Sequence, residues 1–314
     1  MVKSMSKKTF KTLEEQIEIL KSRGLIVDDL DYAKDILLRE NYFFISGYRH
    51  LFNKSWKDIQ FIQGTTFEEL YAMFIFDRKI RNIFFKNLLI VENNIKSLIS
   101  YQLSKKYGFK EKEYLDPKNY SRDPMKIRQV KDVLNKVKRQ IRLNGKQHTA
   151  TMHYITNYGY IPLWILVKVL SFGILSELYT ILDLTDQTNI ASFYNLDTET
   201  LSIYLTILSN YRNLCAHEDI LYDHRTQKVI PDTKYHHRLD IEMTDNEYNY
   251  GKNDLFAVVI IMKQMLSKEE FREFLGEVSY EIEILDGKIN VIPISNILDK
   301  IGFPKNYREI MDID

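Results

Sequence analysis

Arg212 and His217 stand five residues apart in Tyr211-Arg-Asn-Leu-Cys-Ala-His217. An arginine offers phosphate oxygens a planar fork of donors. A histidine titrates near neutral pH, so it can take or give a proton. These types could hold a phosphate and move a proton beside it. Both also have plain structural uses: an arginine snorkels or ion-pairs, and a histidine suits the negative end of a helix dipole. Five residues turn about 140° around an ideal helix, so the two do not share a face. Asn213 and His217, four apart, do.

The element that must carry them is a helix over about Thr198 to Ala216. Leu201, Tyr204, Leu205, Leu208, Tyr211 and Cys215 make a broad apolar face, widened by Ile203, Ile207 and Leu214. The remaining stripe is Ser202, Thr206, Ser209, Asn210, Asn213 and, with one more turn, His217. Solvent-facing stripes usually carry charge. This one does not, so the helix is expected to be covered on most sides, by the fold or by a second subunit.

A second helix, Phe67 to about Lys106, has no Gly or Pro. Phe84, Leu88, Val91, Ile95 and Ile99 share one side of it. Glu92, Asp77 and Arg81 fall on that apolar side, and a carboxylate there needs a partner. Lys96, four residues after Glu92, could supply an i,i+4 ion pair. A third helix opens at Asp123-Pro124 and closes at Gly145. It is basic: Lys126, Arg128, Lys131, Lys136, Lys138, Arg139, Arg142 and Lys146 stand against Asp123 and Asp132. These residues are read as lying on several faces.

Elsewhere the chain is punctuated helix. Thr12 with Glu15, and Thr66 with Glu69, form capping boxes. Gly24 stops the first helix, and a second spans Asp29 to Glu40. Residues 107–122 read as polar loop. Pro162 opens an apolar helix to Leu182, and a short helix lies within Asp183–Asp197. Residues 226–253 read as a long loop or flap. A helix runs from Asp254 to Leu266. Glu269 to Leu285 fits a helix better than the hairpin that Asp286-Gly287 would allow over 277–293.

The 314 residues are 45% hydrophobic, enough for a sizeable core, and 44 Lys+Arg balance 43 Asp+Glu. That balance excludes a polybasic protein but not local basic patches. One cysteine, Cys215, leaves no internal disulfide. No secretory signal stands at the N-terminus, and Ile161 to Ile174 is too short to span a bilayer. A cytoplasmic protein that touches no membrane is expected. The 13% aromatic content is assigned mainly to the core, with Tyr42, Phe43, Phe44, Trp164 and Phe172 among the core residues.

Arg212-Asn-Leu-Cys-Ala-His217 resembles the R-x4-6-H signature of the HEPN superfamily. Asn41-Tyr-Phe-Phe-Ile-Ser-Gly-Tyr48, Phe76-Asp-Arg78 with Arg81, and Ser171-Phe-Gly-Ile-Leu-Ser-Glu-Leu-Tyr179 precede it in the order found in Abi-like (AbiD/AbiF type) abortive-infection proteins. Gly302-Phe-Pro304 resembles that family's tail. After the histidine, family members often continue with another histidine and a basic residue. Here Glu218 and Asp219 follow, with His224 and Arg225 a little later. The resemblance implies an all-α HEPN-type bundle: N-terminal helices over 1–63, a core over 64–225, and a loop with a C-terminal helical extension over 226–314. It implies a metal-independent ribonuclease without cofactor, in anti-phage defence or as a toxin, its site composed across a homodimer. Arg212 and His217 would be catalytic, with Asn213, Glu92 and Lys96 supporting. Glu92 would orient Arg212. Read from its own residues, the basic helix is either a track for RNA phosphates or a plain solvated helix. A small RNA or protein antitoxin would control it. A non-catalytic RNA- or protein-binding module, or a plain helical scaffold, are the competing readings.

Overall fold

The computed structural model describes residues 9–55, 59–145 and 147–313. The first eight residues, read above as no secretory signal, and Lys146 of the basic helix lie outside these. The protein is mostly helical and falls into two compact units, one formed by the chain up to Ile80 with Glu277–Lys300, the other by Arg81–Gly276 with the segment from Ile301.

In the first unit, α1 (Leu13–Ser22) starts at the expected Thr12–Glu15 capping box and gives way to Gly24, whose φ of +89° suits glycine. Asp29 caps α2 (Leu30–Glu40). Asn41 then turns the chain at φ +68° and caps α3 (Tyr42–Ser46) by accepting from Phe43 N–H. The second capping box, Thr66 with Glu69, opens α4 (Phe67–Tyr107). Glu69 also accepts from the N–H groups of Asn290 and Val291, at 2.7 and 3.0 Å. Asp77, buried on the apolar side of α4, accepts from the Tyr48 hydroxyl at 2.7 Å.

In the second unit, α5 (Glu111–Tyr114) interrupts the segment expected to be loop. The basic helix α6 (Ile127–Asn144) follows the Pro124 turn, and α7 (Thr149–Tyr158) follows α6. The single apolar helix expected after Pro162 is instead two. α8 (Leu163–Leu166) ends in a short 3₁₀ turn; Leu170 turns extended, and Ser171 caps α9 (Phe172–Ile181) through Ile174 N–H. The serine offers the backbone an alternative to continuing the helix, which an apolar count does not register. Then come α10 (Leu184–Ala191) and α11 (Thr198–Ala216). α9 packs on both α6 and α11.

Residues 226–253 are not all loop. They hold α12 (Lys234–Arg238) and a hairpin of β1 (Met243–Thr244) and β2 (Glu247–Tyr248). Asp245 and Asn246 at its tip both have positive φ, as a tight hairpin demands. The hairpin therefore falls here and not over 277–293, which begins within α14 (Lys268–Asp286). α13 (Leu255–Met265) is apolar all round, and Leu255 to Met262 are all buried, so it fills the middle of its unit. α15 (Ile294–Ile301) precedes the tail. The core assignment of aromatics needs correction. Phe172 is buried and Tyr42 half-buried, but Phe43, Phe44 and Trp164 are exposed. Each sits in or beside a short helical piece, whose few residues leave a smaller share covered.

Gly302 has φ +83°, and a Cβ there would lie 2.3 Å from Cγ of Asp254. That buried carboxylate caps α13 through Ala257 N–H and also accepts from Gly251 N–H. Burial pushes its pKa up to about 6, against the opposing pull of those N–H groups and of Arg225. An acid with a raised folded-state pKa binds its proton more tightly folded than unfolded. Its stabilising contribution is therefore fully present below about pH 4 and is lost as pH rises to about 6, a change of about 3 kcal/mol. Asp254→Asn removes that titration. Urea unfolding at pH 4 and pH 7 should show wild type losing about 2 kcal/mol relative to the variant across the interval.

Candidate active site

Asp197 caps α11 by accepting from Thr200 N–H at 2.8 Å. Leu201, Tyr204, Leu205, Leu208, Tyr211 and Cys215 are buried, as their spacing requires. Near the far end, Arg212 turns back onto α4. Its Nε donates to Glu92 Oε2 at 3.1 Å, and its guanidinium lies 5.6 Å from the centre of the Phe85 ring. Glu92 Oε1 takes Lys96 Nζ at 2.7 Å. Glu92 thus meets Arg212 on one oxygen and Lys96 on the other. The carboxylate side chain is 3% exposed, against 14% for Lys96 and 26% for Arg212. Phe85, Glu92 and Lys96 form one stripe of α4, seven and four residues apart. The long arginine stem is what lets Arg212 leave its own helix for this stripe.

The helix ends at His217 through backbone alone. His217 N–H donates to Asn213 C=O, Glu218 N–H to Cys215 C=O and Asp219 N–H to Leu214 C=O. Glu218, at φ +56°, occupies the left-handed position that helix ends of this type usually give to glycine. Buried Arg81 of α4 donates to Asp219 C=O at 3.3 Å, bracing the turn. His217 is exposed.

Thr206, Asn210, Asn213 and His217 lie within about 60° of one another around α11. All four are exposed, and none carries a fixed charge. The chain itself therefore leaves this stripe open, while Ser209 of the expected stripe is buried. His224 joins it from the following loop, with Nε2 2.6 Å from Asn210 Oδ1 and its ring edge-on to Tyr211. Tyr211 hydroxyl donates to His224 C=O. Burial lowers the His224 pKa, favouring neutral imidazole. Sequence reasoning assigned Phe85, Asn210 and His224 no role. The seven-residue step from Glu92 points to Phe85, and the three-residue step from Asn213 points to Asn210. No spacing points to His224, because a loop brings it back.

The basic residues of α6 are better ordered than the sequence suggested. Val130, Val133, Leu134 and Val137 are buried as one stripe. Arg128, Lys131, Lys138, Arg139 and Arg142 fall within about 100° on the opposite side, and all are exposed. Lys136 lies about 60° beyond this group. Lys126 is engaged with Thr180 C=O and Lys136 with Glu177. Among the described residues no group of three or more His, Cys, Asp and Glu is placed to hold a metal ion, and no helix is long and apolar enough to cross a membrane.

The architecture and site define a mostly helical protein whose Arg–His helix end is braced by a buried carboxylate. A family model described as Abi-like protein matches residues 35–223, and the chain belongs to that family. Membership implies a part in abortive infection, a defence against phage. No curated protein and no solved structure matches the chain.

Proposed function

We propose that this Abi-like protein is a metal-independent endoribonuclease of the HEPN type. The observation that carries the reading is the Glu92–Arg212 ion pair beside a histidine held at an exposed helix end. A buried carboxylate fixes the arginine through Nε, while the terminal nitrogens offer further donors to a phosphate. In the reaction the RNA 2′-oxygen attacks the adjacent phosphorus and the P–O5′ bond breaks. The 2′-OH proton passes to a base, and the departing 5′-oxygen takes a proton from an acid. His217 serves one of these roles and the His217 of a second copy the other. Arg212 stabilises the charge that builds on the non-bridging oxygens. Asn213 shares the face of His217 and can hold the substrate there. The uncharged open stripe of α11 supports pairing with a second copy, which would bring two such helix ends together. The exposed side of α6 supplies sequence-independent phosphate contacts.

The test is incubation of purified protein with total RNA, with and without EDTA, followed by mapping of the cut ends. Ends bearing 2′,3′-cyclic phosphate and 5′-hydroxyl, unchanged by EDTA, are expected. Intact RNA bound in a salt-sensitive way would replace this reading with that of a non-catalytic RNA-binding module.

A further inference from the structure

We infer that α7 and the residues beside it form a stacking platform for the unpaired bases of single-stranded RNA. The inference rests on the reading that the protein acts on RNA. α7, Thr149-Ala-Thr-Met-His-Tyr-Ile-Thr-Asn-Tyr158, contains no Asp, Glu, Lys or Arg, yet most of it is exposed. Its aromatic rings continue into the neighbouring loops as a row. Trp164 lies 5.6 Å from Phe109, Phe109 5.6 Å from Tyr160, Tyr160 6.4 Å from Tyr158, and Tyr158 5.3 Å from Tyr154, between ring centres. His153 closes the row against Tyr154 and Tyr158. Trp164 is 44% exposed, Phe109 37% and Tyr158 57%. Rings used for packing are buried, as Phe172 and Tyr179 are. In this row Phe109, Tyr158 and Trp164 are exposed, with Tyr154 and Tyr160 half-buried between them.

Charge selects the occupant. Lys110 Nζ stands over the Tyr160 ring at 5.2 Å from its centre and 6.0 Å from that of Phe109, so the row carries a cation at this end. The nearby Glu111 carboxylate accepts from Ile161 N–H. The α6–α7 turn also brings Gly145, at the end of the basic helix, against Ile155 of α7. The basic helix therefore ends against the helix that carries the row. Aromatic rings beside a cationic track bind single strands because every base has a face to stack, whereas a duplex hides those faces.

The test uses protein carrying His217→Ala, so that the probe stays intact. A fluorescent twelve-nucleotide single-stranded RNA is titrated by anisotropy, and a duplex RNA of equal phosphate count serves as control. Tyr158→Ala and Trp164→Ala should each weaken single-strand binding about tenfold and duplex binding less than twofold. Tyr158→Phe and Trp164→Phe should stay within about twofold of the parent. A 5-bromouridine probe crosslinked to the parent protein should label peptides between His153 and Trp164. The inference is overturned by unchanged single-strand affinity in the alanine variants, by equal loss for duplex, by crosslinks only elsewhere, or by dissociation of a dimer in Tyr158→Ala. The last result would make the row a protein interface. Failure here differs from failure of the nuclease reading: Tyr158→Ala and Trp164→Ala variants that bind normally while His217→Ala abolishes cutting leave the nuclease standing. Ring-dependent binding by a wild type that cuts nothing leaves the platform standing.

Discussion

His217→Ala is expected to lower RNA cleavage by about 10²- to 10⁴-fold, the usual contribution of a positioned acid or base. Folding should be almost untouched. The side chain is exposed, and the turn that ends α11 is closed by main-chain groups of His217, Glu218 and Asp219, which alanine retains. Single-turnover cleavage and thermal melting, measured on the same preparations, separate the two effects. A melting temperature within a few degrees of wild type with cutting lost supports the assignment. Cutting that persists in the variant in the presence of EDTA removes His217 from the reaction. Arg212→Lys provides the companion measurement. Lysine keeps the charge but loses the planar fork, so it should hold the Glu92 pair poorly and recover little activity.

Glu92→Ala is expected to be the most destabilising single change at the site, costing about 3–5 kcal/mol. The carboxylate is nearly inaccessible and meets a cation on each oxygen, Lys96 at 2.7 Å and Arg212 at 3.1 Å. Removing it leaves two poorly hydrated positive charges facing each other. Glu92→Gln keeps the shape and one acceptor, so it should cost less in stability while still loosening Arg212. Urea unfolding measures the first effect and cleavage rate the second. A double-mutant cycle decides the cause. If like-charge repulsion dominates, adding Lys96→Met to Glu92→Ala should recover part of the lost stability. If lost packing dominates, the two costs should add.

Much of this was legible from residue spacing. The boundaries of α11, the unbroken length of α4 and the capping boxes follow from local rules that tertiary contacts did not overturn. Glu92 declared itself as a carboxylate at an apolar position, where it had to find a partner. Arg212 posed a harder question, since helix angles put it off the face of His217. A flexible side chain answered it, and angles describe only where a stem begins. Leu170 and Ser171 broke an apolar run because a side-chain cap competes with helix continuation at a cost that hydrophobic periodicity does not carry. The hairpin at 243–248 hid in a polar segment too short and too exposed to alternate. His224 was beyond reach for another reason: its place beside Asn210 depends on how a loop returns. Exposure of Trp164, Phe43 and Phe44 was equally invisible, because composition records how many rings there are and not which of them face water.

The backbone closure after His217 also has a meaning in time. Residues that follow a helix often belong to a loop and wander on nanoseconds to microseconds. Here the Cα of the imidazole is tied into the last turn, and the next carbonyl is braced by a buried arginine of another helix. The ring keeps only its own two side-chain rotations, which interconvert in picoseconds to nanoseconds. On the proposed reading, a phosphate held by Arg212 would meet an imidazole whose backbone is already fixed, so no loop of this chain would have to order around it first.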